Sequence, residues 1–229
     1  MLSSKTRTTW RNRLKRIVFP ILEKWYQGYS QKERTYKFKG LRVTVPPTVF
    51  HPGVFLSTKI FANFLDKLEL HGAKLLELGC GSGLLSLYAS KRGAEVTATD
   101  INPIAINGLI HSSIQNGLNI AALESDLFAD IPVQIFDYIL INPPYYPKTP
   151  TSYKERAFYC GVDFEYFHAL FLQMPAYIKE DSEVYMILSE DCDIEKILHI
   201  AKDNKFEFKE VHRQSRRWEM NYVFQLSFC

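Results

Sequence analysis

From about residue 73 onward, short apolar runs alternate with longer amphipathic stretches. The runs at 73–79, 95–100, 121–126, 136–142 and 183–189 are bounded by turn residues and predict strands. The stretches at 83–92, 103–116, 164–178 and 193–204 repeat apolar residues at helical spacing. Such alternation predicts a parallel sheet with helices on both faces. The ending breaks the rhythm, because 206–214 and 221–228 are two strand-like segments in succession around a charged turn. An antiparallel hairpin is therefore expected to close the sheet. Upstream, residues 57–70 read as a helix with Ile60, Phe61, Phe64, Leu65 and Leu68 on one side. Residues 35–45 alternate around Gly40, the pattern of a short hairpin, and Pro46-Pro47 ends it.

The first residues behave differently. Residues 1–7 are expected to be disordered. From Thr8 or Thr9 as N-cap, Trp10, Leu14, Ile17, Val18, Ile21, Leu22 and Trp25 recur at helical spacing, with Arg11, Arg13, Lys15, Arg16 and Lys24 mostly on other faces. Pro20 is expected to kink or split this basic amphipathic helix. Packing on its own domain is the plainest role for such a stripe; an organelle transit peptide ranks lower, for want of a visible cleavage site.

Charge adds to the picture because it is unevenly spread. The overall +3 is the sum of +10 over residues 1–42 and −7 over residues 43–229. A basic arm on an acidic body suggests a polyanionic partner, such as RNA, the ribosome or a membrane surface, or else a merely solvated face. With 229 residues the chain has room for one full domain and an extension. No apolar stretch approaches the roughly 20 residues a membrane helix needs. Cys80, Cys160, Cys192 and Cys229 are scattered without a CxxC pair or metal-ligand spacing, so a reduced cytoplasmic protein without a structural metal is expected.

Two motifs carry chemistry. Glu77-Leu78-Gly79-Cys80-Gly81-Ser82-Gly83 places a glycine-rich turn between a strand and a helix, the setting of nucleotide-like cofactors. Asp100 closes the second strand, where a carboxylate can accept from two ribose hydroxyls, and Asp126 follows the third, within reach of an adenine amino group. A nicotinamide cofactor competes for such a loop, but the third glycine comes one residue early and Glu77 precedes the turn. Negative charge there suits the ammonium of a methionine moiety better than a diphosphate.

The second motif, Asn142-Pro143-Pro144-Tyr145, follows the fourth strand. An amide or ring-amine nitrogen is a poor nucleophile because its lone pair is delocalised. A site that accepts hydrogen bonds from both N–H groups frees that pair and stabilises the charge developing during attack. The Asn142 side-chain oxygen and the Pro143 carbonyl can be those acceptors, the prolines hold them rigid, and Tyr145 can lie against a planar substrate. A plain surface turn is the alternative.

Together with Asp100-Ile101-Asn102-Pro103 and Asp126-Leu127-Phe128, these motifs resemble class I S-adenosylmethionine-dependent methyltransferases of the small-domain group, over roughly residues 49–228. That group includes HemK/PrmC-type glutamine methyltransferases and N-methyltransferases of RNA bases. The resemblance implies an α/β, Rossmann-like, doubly wound sheet of seven strands in the order 3-2-1-4-5-7-6, the last antiparallel. It makes residues 49–229 the methyltransferase domain and residues 1–48 a basic extension. Cofactor contacts are expected at Glu77, Gly79, Cys80, Gly81, Gly83, Asp100, Ile101, Asp126, Leu127 and Asn142. Asn142, Pro143 and Tyr145 form the expected catalytic set. Two features depart from the HemK pattern: its acid–threonine pair is matched only by Ser57-Thr58, and its long helical N-terminal domain is replaced by the basic arm.

For the acceptor, the expectation leans towards an RNA base, adenine N6 or guanine N2. Aromatic residues Trp25, Tyr26, Tyr29 and Tyr36 beside the basic arm offer stacking next to phosphate contacts. Pro144, Tyr146, Lys148 and Arg156 would line the substrate mouth. The alternatives are a protein glutamine of a ribosomal or translation-factor partner, and a catalytically dead binding module.

Overall fold

The computed structural model describes residues 31–54, 56–216 and 219–229. The expected disordered start and basic helix, up to Trp25, lie outside the described residues, as does Phe55. A two-stranded hairpin comes first, β1 (Arg34–Phe38) and β2 (Leu41–Val45). Its turn residues Lys39 and Gly40 both have positive φ, as a tight two-residue hairpin requires. Helix α1 (Leu56–Phe64) leads into the main sheet.

That sheet contains β3 (Lys74–Leu78), β4 (Glu95–Asp100), β5 (Ile120–Glu124), β6 (Tyr138–Ile141), β7 (Glu183–Ser189), β8 (Phe206–Arg216) and β9 (Glu219–Phe228). Their order is β5-β4-β3-β6-β7-β9-β8. Counted from β3, this is 3-2-1-4-5-7-6, with β9 antiparallel to both neighbours. The connecting helices are α2 (Leu84–Lys91), α3 (Pro103–Asn116), the short α4 (Tyr153–Arg156), α5 (Glu165–Gln173) and α6 (Ile194–Asp203).

Central strands covered on both faces must be apolar throughout, and all four residues of β6 are buried. One core layer joins the hairpin, α1, α2 and α3 to the sheet, so Phe38, Val43 and Val45 pack in the same cluster as Leu84 and Leu109. The opposite layer is rich in phenylalanine, with Phe167 and Phe171 of α5 and Phe206 of β8 fully buried. Each such side chain stabilises the fold by roughly 1.5–3 kcal/mol.

Two expected helices end early. The stretch 164–178 is helical over Glu165–Gln173 and then tightens into a 3₁₀ turn, Met174–Tyr177, because Pro175 has no N–H to continue the α ladder. The stretch 57–70 ends similarly in the 3₁₀ turn Leu65–Lys67. There the Arg92 guanidinium donates to the carbonyls of Leu65 and Leu68, satisfying groups that another helical turn would have used. Where the remaining strands differ from expectation they do so by one or two residues at an end, and both closing strands run two residues longer, to Arg216 and from Glu219.

Register positions the site. Leu78 pairs with Thr99 on one side and Ile141 on the other, so Gly79, Asp100 and Asn142 each stand one residue past the paired level. Adjacent strands run about 4.8 Å apart. The parallel order reverses between β3 and β6, and ligand crevices open at such a switch point.

Candidate active site

The chain leaves β3 through Gly79, whose φ is +70°. A Cβ built there would meet nothing within 4 Å, so the strand end faces open space that a bound group can fill. The Cys80 N–H donates to the Thr99 carbonyl (2.8 Å) and the Gly83 N–H to the Cys80 carbonyl (2.7 Å), folding the loop back onto β4. The Cys80 thiol is buried and held well above its ordinary pKa by burial and then by Asp100, so it stays protonated. At Gly81, a Cβ would come within 3.8 Å of Phe50.

Gly83 starts α2 without a side-chain cap. The cap comes from Glu77 in β3, which accepts the Ser86 N–H (2.8 Å) and the Ser86 hydroxyl at the same oxygen. Glu77 is buried, and burial pushes its carboxyl up to about 8 despite these bonds, with the Asp100 charge adding to the rise.

Asp100 ties the first two loops together, accepting from Gly81 N–H (2.8 Å) and Asn102 N–H (2.9 Å) on different oxygens. Each carboxylate oxygen has a second lone-pair site, so two further donors, such as a pair of ribose hydroxyls, fit. Burial raises the Asp100 carboxyl, and the two backbone N–H groups oppose that rise. Ile101 is half-buried beside it. Asn102 caps α3, accepting from Ile104 N–H at 3.1 Å. Beyond β5, Asp126 is exposed and its carboxylate lies 3.7 Å from the Arg156 guanidinium. Leu127 follows with a φ of +52°.

Asn142 is half-buried at the end of β6, and Pro143 is buried. The Asn142 side-chain N–H donates to the Thr58 hydroxyl of α1 at 3.4 Å. Neither the Asn142 side-chain oxygen nor the Pro143 carbonyl takes a hydrogen bond from the described residues. Two acceptors are thus open at the sheet end where Gly79 faces open space.

The segment after Pro144 folds across the same end of the sheet. The N–H groups of Tyr145 and Tyr146 both donate to the Phe158 carbonyl (3.2 and 3.0 Å), and Cys160 N–H donates to Tyr146 (3.0 Å). The Phe158 ring meets Phe50 at 5.7 Å, while α4 brings Arg156 to Asp126. A strap therefore runs from the residue beside Gly81 to the acid beyond β5. Lys148 pairs with Glu155 at 3.3 Å and lies over the Tyr159 ring. The rings of Tyr145 and Tyr146 touch at 4.8 Å. Burial raises both phenols, so both stay neutral donors.

The sequence-expected residues therefore gather at one sheet end, on the loops after β3, β4, β5 and β6. Glu77 faces Ser86 within the interior. Ser86, Phe50 and Phe158 complete the arrangement without having been singled out as functional, and Thr58, noted only as a loose match to the family's acid–threonine pair, joins it through Asn142. Among the described residues no group of three or more His, Cys, Asp or Glu side chains converges on a metal position, and no helix is long and apolar enough to cross a membrane.

Comparison with known proteins gives a consistent picture. A family model described as the methyltransferase small domain matches residues 40–218. A Methanocaldococcus jannaschii protein provisionally named protein N5-glutamine methyltransferase is 32% identical over 159 residues, 67% of this chain and 78% of that protein. The ribosomal protein L11 methyltransferase of Azotobacter vinelandii is 37% identical over 42% of this chain, which spans only 34% of that relative's length. Among solved structures, the 16S rRNA N2 guanine methyltransferase of T. thermophilus, in complex with AdoMet and guanosine, aligns with a TM-score of 0.62 at 18% identity. That alignment covers 86% of this chain and 50% of the other, and it speaks for the fold alone.

Proposed function

Because this chain belongs to the methyltransferase small domain family and is an S-adenosylmethionine-dependent methyltransferase, we propose that its acceptor is the side-chain amide of a protein glutamine. The observation that carries the reading is the pair of open acceptors, the Asn142 side-chain oxygen and the Pro143 carbonyl, at the sheet end where Gly79 faces open space. The relative that shares 78% of its length with this chain supports the amide over a base.

The residues present fit the cofactor. Gly79 leaves room for it, Asp100 has lone pairs for its ribose, and Asp126, exposed on the loop after β5, would accept from its adenine amino group. When bound, S-adenosylmethionine supplies a methyl group on a cationic sulfur, and the reaction exchanges that carbon–sulfur bond for a carbon–nitrogen bond with loss of one amide proton to water. Asn142 and Pro143 accept the two N–H groups of the substrate amide. Each bond strengthens as positive charge grows on nitrogen, so the corner favours the transition state over the bound substrate. Residue 142 precedes a proline, which keeps its backbone extended and its carbonyl neighbour fixed. Tyr145 and Tyr146 flank the corner, and the half-buried Asn142 leaves water a path to take the proton.

A second reading, an RNA base, rests on the +10 charge of residues 1–42. It draws less from the strap, where Lys148 and Arg156 are each matched by an acid. Incubation with methyl-labelled cofactor and a cell extract, followed by separate protease and ribonuclease digestion, tests the choice. Protease-sensitive label in N5-methylglutamine is expected; label released only by ribonuclease would establish the base instead.

A further inference from the structure

We propose that Thr58 is a positioning residue for methyl transfer: its hydroxyl fixes the Asn142 amide in the orientation that presents oxygen, not nitrogen, to the substrate. The inference rests on the reading that Asn142 accepts a substrate N–H. An asparagine side chain has two orientations related by a half-turn about its last bond, and the barrier between them is low because that torsion is broad. One orientation offers an acceptor; the other sets an NH2 group against the substrate's own NH2, donor against donor. Backbone stiffness at the Asn-Pro-Pro corner does not choose between them. Something must hold the nitrogen end.

Thr58 is the side chain placed to do so. Its hydroxyl oxygen lies 3.4 Å from the Asn142 amide nitrogen, across 84 positions of sequence. Thr58 is buried, with 7% of its surface exposed, in the first turn of α1. Burying a hydroxyl costs stability unless it is bonded, and valine has nearly the same shape, so apolar packing alone does not explain threonine there. A β-branched side chain in a helix has few accessible rotamers. In this contact the hydroxyl oxygen accepts the amide N–H with a lone pair, and its own hydrogen is free to turn away from Asn142. The helix itself is anchored: Ile60 and Phe61 are buried, and the Phe64 ring packs against Tyr185 of β7 at 5.0 Å. The hydroxyl is thus fixed relative to the sheet that carries Asn142.

The test uses the full chain, methyl-labelled S-adenosylmethionine over a range of concentrations, and whichever extract fraction takes label from the parent protein. For Thr58→Val, loss of one hydrogen bond should lower the maximal rate about three- to tenfold. The KM for S-adenosylmethionine and its Kd by equilibrium dialysis should stay within about twofold. Thr58→Ser should restore most of the rate, and Thr58→Val added to Asn142→Ala should cause no further loss. A Thr58→Val rate equal to the parent's, while Asn142→Ala is impaired, would overturn the Thr58 role and leave the function standing. A weakened cofactor Kd, or a full additional loss in the double variant, would also overturn it, since Thr58 would then act elsewhere. Parent-level activity in Asn142→Ala would overturn the reading of the corner itself.

Discussion

Ser86 gives both its backbone N–H and its hydroxyl to a single oxygen of Glu77, joining the first turn of α2 to the interior of β3. A helix that begins with glycine thereby receives its cap from a strand. The arrangement buries a carboxyl, and burial favours the neutral acid, which is why its pKa lies at about 8 instead of 4.5.

This shift has a definite sign in stability. A carboxyl whose folded pKa is raised holds its proton in the native state while the unfolded chain has released it. Its contribution is complete below pH 4.5 and is lost as pH climbs through about 8. Glu77→Gln keeps an acceptor oxygen for Ser86 without a titrating proton. In thermal melts from pH 5 to 9, the parent should lose melting temperature relative to Glu77→Gln across that window. Parallel curves would show that the carboxyl is not perturbed as described.

Asn142→Ala removes one of the two acceptors at the corner. By analogy with the loss of a single preorganised transition-state hydrogen bond, the maximal rate should fall about 10²–10³-fold, with the thermal midpoint nearly unchanged. Rate measurements with labelled cofactor check this.

Asp126 is exposed beyond β5, with Arg156 of the strap 3.7 Å away. An exposed ion pair of this kind adds little to stability, about 0–1 kcal/mol. If its carboxylate accepts the adenine amino group, Asp126→Ala should weaken S-adenosylmethionine binding about tenfold in equilibrium dialysis, as expected for one charged hydrogen bond. An unaltered Kd would remove Asp126 from the cofactor site.

Gly83 and Gly72 share a φ of +72°, yet their surroundings differ. A Cβ at Gly83 would run into the Leu109 side chain of α3, with Cβ and Cγ only 3.2 Å away, whereas at Gly72 nothing lies within 4 Å. Alanine pays the same backbone strain at both positions. Gly83→Ala should therefore be less stable than Gly72→Ala by about 1–3 kcal/mol in urea denaturation. Equal losses would mean that Leu109 yields freely.

Much of this was readable from local pattern. The alternation of strands and helices, the antiparallel closing pair and the clustering of the four loops follow from apolar periodicity and the glycine and proline motifs, because buried parallel strands must be apolar and turns need special backbone, whereas the strand order came from the family resemblance. What escaped was of two kinds. Pro175 and the Arg92 contacts shortened two helices, the first by a local signal and the second by a side chain from another helix. Helix α4, which the sequence reading did not assign, carries a local sign: Ser152, three residues before Glu155, caps its N-terminus. For Thr58 the sequence offered only the loose Ser57-Thr58 match to the family's acid–threonine pair; its contact with an asparagine 84 positions away emerges when α1 packs beside the sheet.

The placement of β9 between β7 and β8 has a temporal consequence. During synthesis β8 emerges first, yet the sheet holds no neighbour for it until the following segment arrives and slots in. The Phe206 side, including its aromatic partners on α5, must wait as a sticky, half-made wall. Closure of the molecule is thus a late, all-together event, in which one hairpin docks as a unit onto a nascent edge. Such long-range zipping is slow compared with helix formation, so this wall is the stretch most open to aggregation while the chain folds.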